Sequence, residues 1–149
     1  MARNPRVKSR ISETEWVVFQ TRDAEWYACL FHYKEDLNKN DRFDTGLTVN
    51  VFSFKKDSAV DHGKALIDNM ASQHHVEMWS RAFGPFQEFG CELKDTDATG
   101  TIMMHALTIA NPKTNKLYLF TFESPASSWD EAWKIGKQIM DSLAIDDDI

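Results

Sequence analysis

A chain of 149 residues with 42% hydrophobic and 12% aromatic side chains is long enough to bury roughly two thirds of its unfolded surface in one core, which excludes a disordered polymer and a multidomain array. The net charge of −6 is carried by the body, because Arg3, Arg6, Lys8 and Arg10 sit together at the start; an acidic body excludes a nucleic-acid or anionic-membrane surface and suits a basic protein partner. No apolar run reaches ~18 residues and the opening is polar and basic, so the expectations are no membrane insertion and a cytoplasmic location as given, a removed leader aside.

Taken in order, residues 1–12 read as a disordered basic tail, 13–145 as a single α+β domain and 146–149, with Asp146, Asp147 and Asp148, as an acidic tail. Residues 14–20 and 26–34 are rich in aromatic and β-branched side chains and flank a short polar stretch, the pattern of a hairpin. Residues 34–45 hold Asp36, Asn38, Asn40, Asp41 and Asp44 without periodicity, a surface loop, and a third strand follows over 46–54. Val60, Ile67, Met70, Ala71, His74 and Met78 then recur at helical spacing, which predicts a helix beginning at Ser58 and running to about Met78; Ser58 and Asp61 suit its start. Gly84-Pro85 breaks the chain before a strand over 87–94, and two more strands, 101–110 and 116–123, follow across polar turns. Apolar residues on both faces of the last strand (Tyr118, Phe120 and Phe122 against Leu117 and Leu119) call for cover on both sides. A final helix is marked by Pro125, a Ser128/Glu131 capping box and the stripe Trp129, Trp133, Gly136, Ile139, Met140 and Leu143. The expected architecture is a three-layer α/β/α sandwich: a central, mostly antiparallel sheet of five to six strands and two main helices, one on each face.

The run Lys-Leu-Tyr-Leu-Phe-Thr-Phe-Glu-Ser-Pro over 116–125, then Trp129, then Ile-Met-Asp-Ser-Leu over 139–143, resembles the closing strand and helix of the PsbP-like superfamily, which includes photosystem II PsbP proteins, nuclear Ran-binding Mog proteins and bacterial DcrB-like proteins. The matching stretch is about 46–143, two thirds of the chain. The resemblance implies the same sandwich and a non-enzymatic role as binder, adaptor or assembly factor.

No phosphate-cradling, dinucleotide, nucleophile-elbow or zinc-protease motif is present; no catalytic residue, metal ligand or cofactor is assigned, and the chain leans away from being an enzyme. Cys29 and Cys91 are too few and too far apart for a zinc ribbon or a redox pair and read as free core thiols. Of the five histidines, His62, His74 and His75 read as ordinary helix residues: His74 and His75 point about 100° apart, and a His74/Glu77 pair lacks further ligands within reach. Trp129 and Trp133, one turn apart, read as core. Trp79, Arg81, Phe83 and Phe86 surround the Gly-Pro break, where exposed aromatics and an arginine make a candidate partner-binding patch. His32 and His105 make a rival candidate, a ligand pocket with Cys29, Asp36 or Asp41 contributing. The function that follows is a non-catalytic protein-binding or adaptor domain with an unknown protein partner or with itself. The alternatives are a small-ligand or metal-dependent enzyme at His32 and His105, and a chaperone-like shield for a hydrophobic partner segment.

Overall fold

The computed structural model describes residues 6–10, 16–20, 26–34, 45–72, 75–97 and 100–145, with side chains from Thr45 onward except at His75 and Asp97. Residues 35–44 of the loop expected over 34–45 (with Asp36 and Asp41), His74, and the ends 1–5 and 146–149 lie outside these residues.

Three short segments open the chain: β1 (Arg6–Arg10), β2 (Trp16–Gln20) and β3 (Trp26–Lys34). After β4 (Thr45–Ser53) comes α1 (Ala59–Ala71), then β5 (His75–Phe83), β6 (Phe86–Asp97), β7 (Gly100–Asn111), β8 (Lys116–Pro125), a 3₁₀ turn, α2 (Trp129–Asp141) and β9 (Ala144–Ile145). Six strands form one antiparallel sheet in the order β3-β4-β8-β7-β6-β5, and β2-β1-β9 form a second, smaller one. The row Glu92, His105, Phe122, Leu47 illustrates the register across four strands.

Alternation on β7 and β8 divides the core in two. Leu107, Ile109, Tyr118, Phe120 and Phe122 face α2 and pack with Trp129, Ala132 and Ile139. On the opposite face Cys91, Leu93 and Ala106 meet Ile67 and Ala71 of α1, and Ala110 and Leu117 meet Ala59. One helix therefore lies on each side of the sheet, as the two-faced apolar pattern requires.

Several local expectations are corrected. The helix ends at Ala71, and 75–83 is a strand: the helical spacing of His74 and Met78 is coincidental, and pairing of Trp79 with Gly90 and Phe83 with Phe86 overrides it. Gly84-Pro85 is accordingly the two-residue turn of a β5–β6 hairpin. Gly84 has φ +54 and proline cannot take a positive φ, which selects the turn with only its first central residue in that region. Segments 14–20 and 26–34 do not pair with each other; β2 pairs β1 and β3 pairs β4. Arg6–Arg10, read from the sequence as part of a disordered tail, is strand β1, bridging β2 and β9. The Ser128/Glu131 box does not form: Ser128 Oγ donates to Pro125 O and Glu131 pairs with Lys134. Ser58 does cap α1, accepting from Asp61 N–H at 3.2 Å.

Asn115 is an unforeseen strut. At φ 56 it turns β7 into β8, accepts from the first N–H of α1 at Ala59 (2.8 Å) and donates to the carbonyls of Phe54 (2.9 Å) and Asp57 (2.7 Å). Asn115→Ala is expected to cost about 2 kcal/mol, combining a lost helix-start acceptor with strain at positive φ. Urea unfolding checks this, with Asn115→Asp, which keeps the acceptor and loses the donors, falling between the two.

Candidate functional site

Helix α2 covers the β4 and β8 side of its sheet face and leaves the β5–β7 side open. The resulting cleft, of about 630 Å³, is lined by Trp79, Arg81, Phe83, Glu88, His105, Leu107, Ile109, Met140, Asp141, Leu143 and Ile145. Period-2 alternation puts Trp79, Arg81 and Phe83 of β5 on the same face as Glu88 of β6 and His105, Leu107 and Ile109 of β7. The far wall comes from the end of α2 and the chain running into β9.

An aromatic run crosses this site. Trp129 and Trp133 stack at 5.2 Å, Trp133 meets the His105 ring at 4.2 Å, and His105 meets Trp79 at 4.8 Å. Trp79 lies flat on Gly90, where an ideal Cβ would stand 2.2 Å from the indole; only glycine opposite admits the ring. Glu88 fixes the other edge. The residue is 4% exposed, and its carboxylate accepts from Trp79 Nε1 at 3.0 Å and from both Nε (2.9 Å) and Nη2 (3.1 Å) of Arg81. The Arg81 guanidinium in turn sits 5.1 Å from the Phe83 ring centre. Three donors satisfy the buried acid, so this wall is rigid and its carboxylate is occupied.

His105 is the titratable group inside. Burial holds its imidazole down to about 4; neighbouring Asp141 opposes that shift and Lys137 adds to it. Its Nδ1 is buried without a hydrogen-bond partner among the described residues, and Glu92 Oε2 lies 3.6 Å away. At neutral pH the imidazole is therefore uncharged, and that approach is not an ion pair. Glu92 is itself pushed up, by burial and then by the charge of Glu77.

Of the patch read from the sequence, Trp79, Arg81 and Phe83 come together at the cleft while Phe86 is core, 5% exposed. His32 and His105 do not meet. His32 belongs to the edge strand β3 opposite Gly46, and β4 and β8 separate it from β7, three strand spacings or roughly 14 Å. His62 stacks on Phe54 at 4.4 Å, and His75 is on β5 and not on the helix. Cys91 is free and fully buried, with burial raising its thiol to about 11, which makes it unreactive; the Cys29 side chain lies outside the described residues. Among the described residues no three His, Cys, Asp or Glu side chains are placed to hold a metal ion, and no helix is long and apolar enough to cross a membrane.

Glu88, Asp141 and Ile145 were not singled out in the sequence, and Met140 and Leu143 were read only as part of the apolar stripe of the final helix. For Glu88 a signal existed: it alternates with Phe86 and Gly90 on an inward face, and an acid there must be paired.

No family model and no curated protein matches the chain. Solved structures do. LpqN of Mycobacterium tuberculosis, described as involved in cell envelope biogenesis, superposes with TM-score 0.60 at 7% identity, covering 95% of this chain and 83% of its own. PA94, a protein of unknown function from Pseudomonas aeruginosa, gives 0.54 at 11% identity, covering 82% and 88%. A cyanobacterial PsbP from Synechocystis sp. PCC 6803 gives 0.47 at 13% identity, covering 87% and 86%. At these identities the likeness is one of fold.

Proposed function

We propose that this chain is a non-catalytic binding domain that takes an apolar protein segment, flanked by basic residues, into the cleft between α2 and the β5–β6 hairpin. The observation that carries the reading is the half-covered sheet face: seven apolar or aromatic side chains, Trp79, Phe83, Leu107, Ile109, Met140, Leu143 and Ile145, line a cavity whose volume suits side-chain anchors. Phe83, 38% exposed, extends that surface onto the rim, and the net charge of −6 favours basic flanks. The polar groups are poorly disposed for chemistry. Glu88 is taken up by Arg81 and Trp79, and His105 is neutral and held between two indoles, so a His32–His105 enzyme lacks its second member. A shield for a hydrophobic helix is the same cleft with a partner that is insoluble alone.

Peptides selected from a random display library against the intact chain provide the test. Their affinity, measured by calorimetry, is expected to fall at least tenfold, about 1.4 kcal/mol, on Trp79→Ala and on Leu143→Asp, with apolar residues and Lys or Arg enriched in the selected set. Affinities untouched by both substitutions would sink the proposal.

A further inference from the structure

Strand β5 ends the six-stranded sheet, and among the described residues nothing pairs with its outer side. Unpaired edges are normally protected by lysine, proline or a covering element. The sequence of β5, His-Val-Glu-Met-Trp-Ser-Arg-Ala-Phe, has neither lysine nor proline. It instead exposes Val76 (60%), Met78 (44%) and Phe83 (38%), the large apolar side chains most open to solvent among the described residues. A register irregularity between His75 and Glu77 leaves a regular edge from Glu77 onward.

The direction of the free backbone groups follows from the turn. Phe83 and Phe86 flank a two-residue turn, so they exchange hydrogen bonds, as do Arg81 with Glu88 and Trp79 with Gly90 in alternation. The N–H and C=O groups of Met78, Ser80 and Ala82 therefore face outward.

From this edge we propose that two copies of the chain join through β5, antiparallel about a two-fold axis at Trp79, into one continuous sheet. Charge selects a second copy as the occupant. With Trp79 opposite Trp79, Met78 meets Ser80 and about four backbone hydrogen bonds form, while Glu77 of each copy faces Arg81 of the other. In the single chain Glu77 stands directly across from Glu92, a like-charge pair that is unfavourable on a sheet and adds to burial in raising the Glu92 carboxyl. Arg81 spends Nε and Nη2 on Glu88 and, at 65% side-chain exposure, keeps its remaining donors at the edge. The pairing relieves the first and uses the second, twice by symmetry. It also sets the partner copy's Glu77 beside Arg81 at the mouth of the cleft.

Sedimentation equilibrium of the full chain over a concentration series tests this. The expected result is a monomer–dimer equilibrium with a dissociation constant below about 100 μM, weakened by added salt. Ser80→Pro removes an outward N–H without touching the β5–β6 ladder and is expected to raise the constant at least tenfold. Glu77→Arg, an exposed change that removes the cross-copy pair and sets arginines opposite one another, should do the same while near-ultraviolet circular dichroism stays native. A chain monomeric throughout, or a dimer whose constant neither substitution moves, overturns the proposal. Peptide binding in the cleft is measured separately on Glu77→Arg, so failure of one proposal does not imply failure of the other.

Discussion

Gly136→Leu is expected to lower the unfolding free energy by about 3 kcal/mol or more and to abolish the cleft. Helix α2 reaches its sheet through this glycine. An ideal Cβ there would lie 2.6 Å from two ring atoms of Phe122 and 2.7 Å from Trp133, and Phe122 is fully buried, so the ring has nowhere to swing. The gain in helix propensity from replacing glycine is only about 1 kcal/mol and cannot offset the displacement of a helix. Gly63→Ala is the comparison on the other face. Its Cβ would meet the flexible end of Leu117 at 2.9 Å and Thr108 Oγ1 at 3.0 Å, disturbing the hydroxyl's bond to Gly63 O; a loss of about 1 kcal/mol is expected there. Urea unfolding of both variants decides. Equal, small losses would show that α2 does not dock through Gly136.

Acid should destabilise the protein through His105. The folded imidazole titrates at about 4, below an unfolded value near 6.5. Between those values the unfolded chain binds a proton that the folded chain refuses. The contribution is therefore fully present above about pH 6.5 and lost as pH falls toward 4, by up to about 3 kcal/mol. Glu92 and Glu123, both raised chiefly by burial, act in the opposite sense, since the folded chain holds their protons longer as pH rises. The wild-type curve mixes these effects, and the difference between wild type and His105→Phe isolates the first, because phenylalanine keeps a ring between Trp79 and Trp133 without a titrating group. That difference should shift by about 3 kcal/mol between pH 7 and pH 4. A flat difference would mean that the imidazole is solvated and the aromatic run is not closed.

The legible parts of this fold are those where local chemistry and tertiary structure agree. β7, β8 and the face of α2 could be read because their periods of two and 3.6 match what they bury. β5 could not. Its aromatic and charged residues follow a helix whose spacing happens to continue through Met78, and only the long-range match of Trp79 to Gly90 reveals a strand. The cleft was half legible for the same reason. Trp79, Arg81 and Phe83 stand out as aromatics and an arginine beside a Gly-Pro turn, whereas Glu88, Leu143 and Ile145 acquire a role only when β6 and the end of α2 are brought alongside. His32 and His105 share a residue type and a strand setting, but strand order, invisible in a single sequence, keeps them apart. Phe86 lies three residues beyond Phe83 and still reverses from rim to core, because the turn carries the chain inward from the edge strand and Phe86 joins the buried cluster on that face.

The measurement that bears most directly on the binding reading is a methyl- and indole-resolved magnetic resonance titration of the intact chain with a selected apolar, basic-flanked peptide. Shifts confined to Trp79, Leu107, Ile109, Met140 and Leu143 are the expected result. Shifts gathered instead around Ile67, Leu93 and Met104 on the α1 face, with the cleft signals unmoved, would contradict it.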